Sequence, residues 1–444
     1  MTYENIKSII LTILVGASLL LTWNLWTYQP NYEKLENGET VQEVSFSTKK
    51  PIKAIVKPEQ ILYHIEGGIY GSLEENEVEK FLNEMSRWNL NGFERIQLEG
   101  MGVYSLVDNQ DAVEILFPSA INIDLYKSVL GIKGMDIPNF NFDQIIIPLN
   151  MEQGEYGVVY FASREEEKIY RSEVHLSLIS DFKGAYVEAA KSYPKYFPYI
   201  TEAGRRIYLP EAETEIYSYQ YLSDPLDAGK FKNALFKDPT LVQKNYIATG
   251  EEYTDASSLM KVDTDANTIS YIDPSEVGNQ DIDKNDLLKR SIDFVNSHGG
   301  WTDKYRFVYM DTDQSTVHFR LYGQDGYPVF SKNADPDADI SKIQLVWGNT
   351  DISRYIRNNF SLGLLTFTSP SPRILESGTT ALEKIRSIEK FNPNLLEDIK
   401  IGYEMTMNAQ SLLIQLEPKW YYLYNGVWKP LTTSEYGGEQ NGLE

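Results

Sequence analysis

The chain has 444 residues, with 41 Lys and Arg against 64 Asp and Glu, a net charge of −23, 42% hydrophobic and 13% aromatic residues, four histidines and no cysteine. At ~100–200 residues per domain the length allows two to four domains, and the composition is that of a folded chain. The acidic balance argues against nucleic acid as a partner, and the lack of cysteine excludes disulfides, thiol nucleophiles, iron–sulfur clusters and thiolate zinc sites.

The first element is the apolar run 9–28, IILTILVGASLLLTWNLWTY, with no charge between Ser8 and Tyr32. Its length at ~1.5 Å per residue matches the ~30 Å hydrocarbon core of a bilayer. Only Lys7, offset by Glu4, precedes it, and Trp23, Trp26 and Tyr28 close it with aromatics suited to a membrane interface rather than to a peptidase site. The run predicts an uncleaved transmembrane helix over 9–28, a cytoplasmic tail over 1–8 and a polar linker over 29–50. The bulk of the chain is then extracytoplasmic at the cell membrane. Ser8, Thr12 and Gly16 recur every fourth residue, which puts small side chains on one helix face where a second transmembrane helix could approach. The plainer reading is that such residues are tolerated in a lone anchor.

Beyond the linker, Ser72-Leu73-Glu74-Glu75 matches a capping box. Val78, Phe81, Leu82, Met85 and Trp88 follow at helical spacing. Strands are expected at 113–117, 144–149, 158–161 and 169–176, the last two joined by a hairpin over Ser163–Glu167. Tyr193 to Pro198 reads as a Pro/Tyr-rich junction. The alternation in Tyr217, Tyr219 and Tyr221 suits a strand with aromatics on one face, which could line a ligand groove. A short helix near 230–236 and strands near Leu259 and Ile269 lead to an acidic, turn-rich stretch, Asp273 to Asp286. These two punctuations divide the chain into 51–200, 201–280 and 281–444. Leu287, Leu288, Ile292 and Val295 predict a helix that stops at Gly299-Gly300. Strands follow at 305–310 and 317–322, a turn at Asp325-Gly326, and a strand at Val329-Phe330. Helices are expected at 352–359 and 381–390, and a hairpin turns at Asn425-Gly426. Helices and strands mix without βαβ alternation, so the class is α+β.

No catalytic, cofactor or metal motif emerges. Asp263, Asp265 and Asn267 begin like a calcium loop, but Thr268 stands where glycine is needed and Pro274 where the bidentate Glu belongs. Asp281, Asp283 and Asn285 fail in the same way. His298-Gly299-Gly300-Trp301 reads as a helix end followed by a packed Trp rather than a site. Phosphate-loop, HExxH and GxSxG signatures are missing. A glycosidase reading rests only on carboxylates and aromatics too abundant to be informative.

Several longer stretches resemble the YycH family. They are residues 3–33 around the apolar run, FPSAINIDLY (117–126), ALFKDPTLV (234–242), SIDFVNSHGGW (291–301), RLYGQDGYPVFS (320–331), IGYEM (401–405) and LEPKWYYLYNGVW (416–428). The resemblance runs over essentially the whole chain. It implies a non-enzymatic, single-pass regulator of the WalK/YycG sensor histidine kinase of Gram-positive bacteria. It further implies a three-domain extracytoplasmic region whose last domain is similar to YycI, and a complex with YycI and the kinase formed chiefly through transmembrane helices. An extracytoplasmic binding module for a cell-wall-derived ligand is the alternative.

Overall fold

A computed structural model describes residues 18 and 48–432, apart from residues 98–101, 109, 135–136, 151–153, 165, 277–285, 299, 333–338, 368 and 409–411. Among the described residues the chain from 48 onward is α+β, with three sheets and few helices. No described helix is long and apolar enough to cross a membrane, and the apolar run 9–28 lies outside the described residues save for Ser18.

The first sheet has nine antiparallel strands in the order Asn91–Ile96, Lys168–His175, Tyr156–Ser163, Asn141–Pro148, Ala112–Asn122, Gln60–Ile65, Gly68–Ser72, Lys195–Ile200 and Arg206–Pro210. Alternation sets its two faces. Ile61, Tyr63 and Ile65 enter the main core, while Leu62 points the other way to pack with Leu116, Tyr196 and Tyr208. The helix Glu75–Met85 buries Val78, Phe81, Leu82 and Met85, and Trp88 follows it into the core.

The second sheet has eight antiparallel strands, in the order Gln243–Ile247, Gly250–Thr254, Leu259–Asp263, Thr268–Ile272, Ile352–Asn358, Lys342–Trp347, Thr316–Leu321 and Tyr305–Asp311. The helix Leu287–Ser297 packs its apolar face here, and its buried Ser291 accepts a hydrogen bond from Trp347 Nε1 at 2.8 Å. The third sheet has seven strands. Val329–Ser331 runs parallel to Leu396–Asn408, and Leu413–Tyr424 and Thr214–Pro225 follow. Phe360–Leu365 and Ser371–Leu375 both pair with Thr214–Pro225, and Val427–Pro430 pairs with Leu413–Tyr424. One continuous buried cluster extends from Ile55 to Tyr422 and draws on all three sheets.

Several local expectations are corrected. Residues 352–358 form a central strand, not a helix. Hydrogen bonding on both sides buries Tyr355, Ile356, Arg357 and Asn358 alike, so the sequence lacks the alternation of a half-buried strand. The capping box does not form. Ser72 ends a strand, Glu74 is the N-cap residue without a side-chain bond, and Glu75 turns to distant cations. The Pro/Tyr-rich junction is a strand, Lys195–Ile200, and Arg206–Pro210 completes the first sheet beyond residue 200. The strands of 201–280 are divided among all three sheets, so that interval makes no sheet of its own. Strands need partners rather than neighbours in sequence, so punctuation along the chain does not mark where a sheet ends.

Candidate functional site

The described chain enters the body at Lys50, and the side chains that receive it come from residues about 250 positions later. Asn296, on the last turns of the helix Leu287–Ser297, accepts the Lys50 backbone N–H at Oδ1 (2.8 Å) and donates from Nδ2 to the Lys50 carbonyl (3.1 Å). This pairing imitates one rung of a β-ladder with a side-chain amide. Trp301, 2% exposed, donates its indole N–H to the same Oδ1 at 2.8 Å, which fixes the amide orientation. The Lys50 ammonium donates to the Asp303 carbonyl at 2.6 Å.

Asp303 extends the cluster. Its Oδ2 accepts the Thr302 hydroxyl at 2.9 Å, and its Oδ1 accepts the backbone N–H of Leu362 at 2.9 Å. Arg357, fully buried, donates to the Gly300 carbonyl at 2.6 Å and to the Thr302 hydroxyl at 2.8 Å, and so holds the loop that carries Trp301 and Asp303. Burial raises the Asp303 carboxyl above its ordinary range, against the bonds from Thr302 and Leu362 and the nearby charges of Arg357 and Lys50. Burial likewise lowers the Lys50 ammonium, opposed by Asp303 and Glu75. A recess of about 300 Å³ beside this cluster is lined by Lys50, Tyr221, Trp301, Asp303, Tyr322 and Gln324, among others. That volume is at the lower end of small-ligand sites, roughly 300–1,000 Å³.

Two ionic seams tie the sheets together nearby. Glu75 pairs with Lys57 (2.7 Å), Lys304 (2.9 Å) and Arg306 (3.6 Å), linking the helix Glu75–Met85 to the second sheet. Burial alone would raise the Glu75 carboxyl, but Lys57, Lys304 and Arg306 outweigh it and hold the value at about 2. Between the first and third sheets, Lys400 pairs with Glu59 and Asp398, and Arg205 with Asp398. The recess there measures about 80 Å³, well below the roughly 300 Å³ of small-ligand sites. A further buried carboxylate, Glu114, takes the Tyr208 hydroxyl at 2.6 Å, His64 Nε2 at 2.8 Å and Gln144 Nε2 at 2.5 Å inside the first sheet.

The residues singled out in the sequence fall into three groups. Ser8, Thr12, Gly16, Trp23, Trp26 and Tyr28 lie outside the described residues, as do Asp281, Asp283 and Asn285. Asp263 makes a hairpin turn, accepting from the backbones of Asp265 and Ala266, and among the described residues no group of three or more His, Asp or Glu could hold a metal. Of the alternating tyrosines, Tyr219 and Tyr221 are buried and Tyr217 is 40% exposed. Tyr219 donates to Asp325 Oδ1 at 2.5 Å and Tyr403 to its Oδ2 at 2.9 Å. Asn296 and Trp301, by contrast, both belong to SIDFVNSHGGW. Lys50 and Asp303 carry no local signature, because their role arises from residues far apart in sequence.

Fold and site together define a sheet-rich α+β body that clasps its own chain at Lys50. The chain belongs to the YycH family: residues 4–185 match the YycH protein N-terminal domain and residues 204–438 the YycH protein C-terminal domain. It is 24% identical over 459 residues to the two-component system WalR/WalK regulatory protein YycH of Bacillus subtilis, with both chains covered in full. The crystal structure of YycH from Bacillus subtilis shares the fold, with a TM-score of 0.73 at 22% identity over 87% of this chain and 99% of that one.

Proposed function

We propose that this chain regulates a two-component sensor histidine kinase of the WalK/YycG type, as a non-enzymatic membrane partner acting together with YycI. The observation that supports this reading is the end-to-end similarity to a protein named as a WalR/WalK regulator. In this reading residues 9–28 span the cell membrane, 1–8 are cytoplasmic and the rest is extracytoplasmic. A sensor kinase poised between two arrangements shifts when an adjacent helix packs better against one of them. Ser8, Thr12 and Gly16 supply the close-approach face. The two hydrogen bonds between Lys50 and Asn296 support a coupling role for the body, since they hold the chain at Lys50.

Photo-crosslinking from position 16 in intact cells tests the contact. The kinase is the expected product, and crosslinks confined to unrelated proteins would refute it. The recess beside Lys50 supports a second reading, a binding module for a small polar, wall-derived ligand. Saturable binding of soluble wall fragments to the full chain, lost in Asp303→Asn, would favour that reading.

A further inference from the structure

We infer that the edge of the third sheet around Phe367 is a lipid-contacting surface, which rests in part on the proposal that residues 9–28 anchor the chain. Five large apolar side chains lie exposed there: Leu222 (47%), Leu364 (78%), Leu365 (43%), Phe367 (fully exposed) and Leu412 (46%). They are neighbours through the sheet. Tyr221 pairs with Leu365 and Ser223 with Leu362, so the single residue Leu222 faces the two residues 363 and 364 across a bulge. Leu222 pairs on its other side with Leu413, which follows Leu412. Scattered exposed apolar residues need no explanation, but a contiguous set at a sheet edge marks an interaction surface.

Two observations favour lipid as the occupant. The first is charge. In a chain with 24% charged residues and a net charge of −23, residues 358–372 (NNFSLGLLTFTSPSP) contain none. An anionic bilayer surface repels most of this molecule and spares this tip. The nearest charge on the facing strand, Asp224, pairs with Ser361 at the end away from Phe367. Leucine and phenylalanine among threonine and serine hydroxyls also suit the headgroup boundary. The second is the place where the chain outside the structure joins the body. Residues 29–47 lead into Lys50, whose ammonium binds the carbonyl of Asp303, and the Asp303 carboxylate binds the N–H of Leu362. Leu364 and Leu365 follow Leu362 in the same strand, at ~3.3 Å per residue. Lys50 is thus joined through Asp303 to the strand that carries the apolar side chains. A tether raises the effective concentration of the tip at the bilayer, so a contact too weak to bind a free protein becomes populated.

The test uses the absence of native cysteine. Single cysteines replace Phe367, Leu364, Leu14 or Tyr156 in the full chain, each carrying an environment-sensitive fluorophore, in vesicles of phosphatidylcholine and phosphatidylglycerol with or without nitroxide-labelled lipid. Tyr156 is exposed in the first sheet, six strands from Arg206–Pro210. The expected result is loss of most emission to nitroxide at positions 367, 364 and 14 but not at 156, with recovery at 364 when Phe367→Glu is added. Quenching at 14 without quenching at 367 and 364 overturns the lipid surface and leaves the anchor standing. Absence of quenching at 14 overturns the anchor itself; quenching at 367 and 364 would then still support the lipid surface, and its absence there would overturn it. Disulfide-linked dimers of unlabelled Phe367→Cys in membranes would make the occupant a second copy and also overturn it.

Discussion

Lys50 and Asn296 stand 246 residues apart and are joined by two hydrogen bonds, one to the backbone N–H and one to the carbonyl of Lys50. The end of the linker is therefore held by the C-terminal half of the chain, although the next strand, Gln60–Ile65, belongs to the first sheet.

Asn296→Ala removes both bonds and leaves the buried Trp301 indole N–H without its acceptor. Leaving buried partners unmade costs roughly 1–3 kcal/mol. The expected outcome is a loss of about 2 kcal/mol in denaturant unfolding. Hydrogen exchange at Lys49–Ile52 should quicken more than in the first-sheet strands, and uniform acceleration would show that Asn296 only supports the global fold.

Glu75 gives a pH signature. Its folded value of about 2 lies below the ordinary 4.5, so its stabilisation is complete above pH ~5 and fades as pH falls from about 4.5 to 2. Glu75→Gln also strands Lys57, whose side chain is 4% exposed and keeps only Glu79. It should cost about 2–3 kcal/mol at neutral pH. The gap between wild type and Glu75→Gln should narrow by about half in acid, as read from urea midpoints between pH 7 and pH 3. A gap that stays constant over that range would contradict the assignment.

Two glycines at positive φ separate local strain from contact. Gly426, φ +73°, has open space where a Cβ would sit, whereas a Cβ on Gly326, φ +82°, would lie 2.5 Å from the Leu73 carbonyl oxygen. Gly426→Ala should cost about 1 kcal/mol for the left-handed backbone alone. Gly326→Ala must also push the Asp325-Gly326 turn away from the first sheet and should cost at least twice as much. Equal losses in parallel melts would mean that the turn does not bear on Leu73.

Local patterns in the sequence disclosed local structure. The apolar spacing of Val78, Phe81, Leu82 and Met85 marks its helix, and Asn425-Gly426 turns the last hairpin with both residues at positive φ. Trp301 is packed past a helix end, as the His298–Trp301 motif implied. The sequence hid what depends on partners. Arg357 and Asn358 look like surface residues of a helix, yet both are fully buried in a central strand where Arg357 spends its donors on Gly300 and Thr302. Glu75 has the spacing of a capping residue but is drawn off by Lys57, Lys304 and Arg306, because three cations outweigh the single backbone N–H that a capping Glu accepts. The clasp was legible only in its second half, since Asn296 and Trp301 share a motif while Lys50 ends a nondescript polar linker.

The central claim is regulation of a sensor kinase through the proposed transmembrane face, and a kinase-dependent reporter tests it most directly. Cells lacking this chain are complemented with wild type, Gly16→Leu or Leu14→Ile at matched membrane levels, and reporter output and co-purification of the kinase are measured together. One interhelical contact is worth roughly 0.6–2 kcal/mol, enough to move a balanced equilibrium several-fold. The account predicts that loss of the chain changes output, that wild type and Leu14→Ile restore it, and that Gly16→Leu weakens co-purification and fails to restore it. Output that is the same with and without the chain would contradict the regulatory function. Full restoration by Gly16→Leu would place the contact outside the membrane.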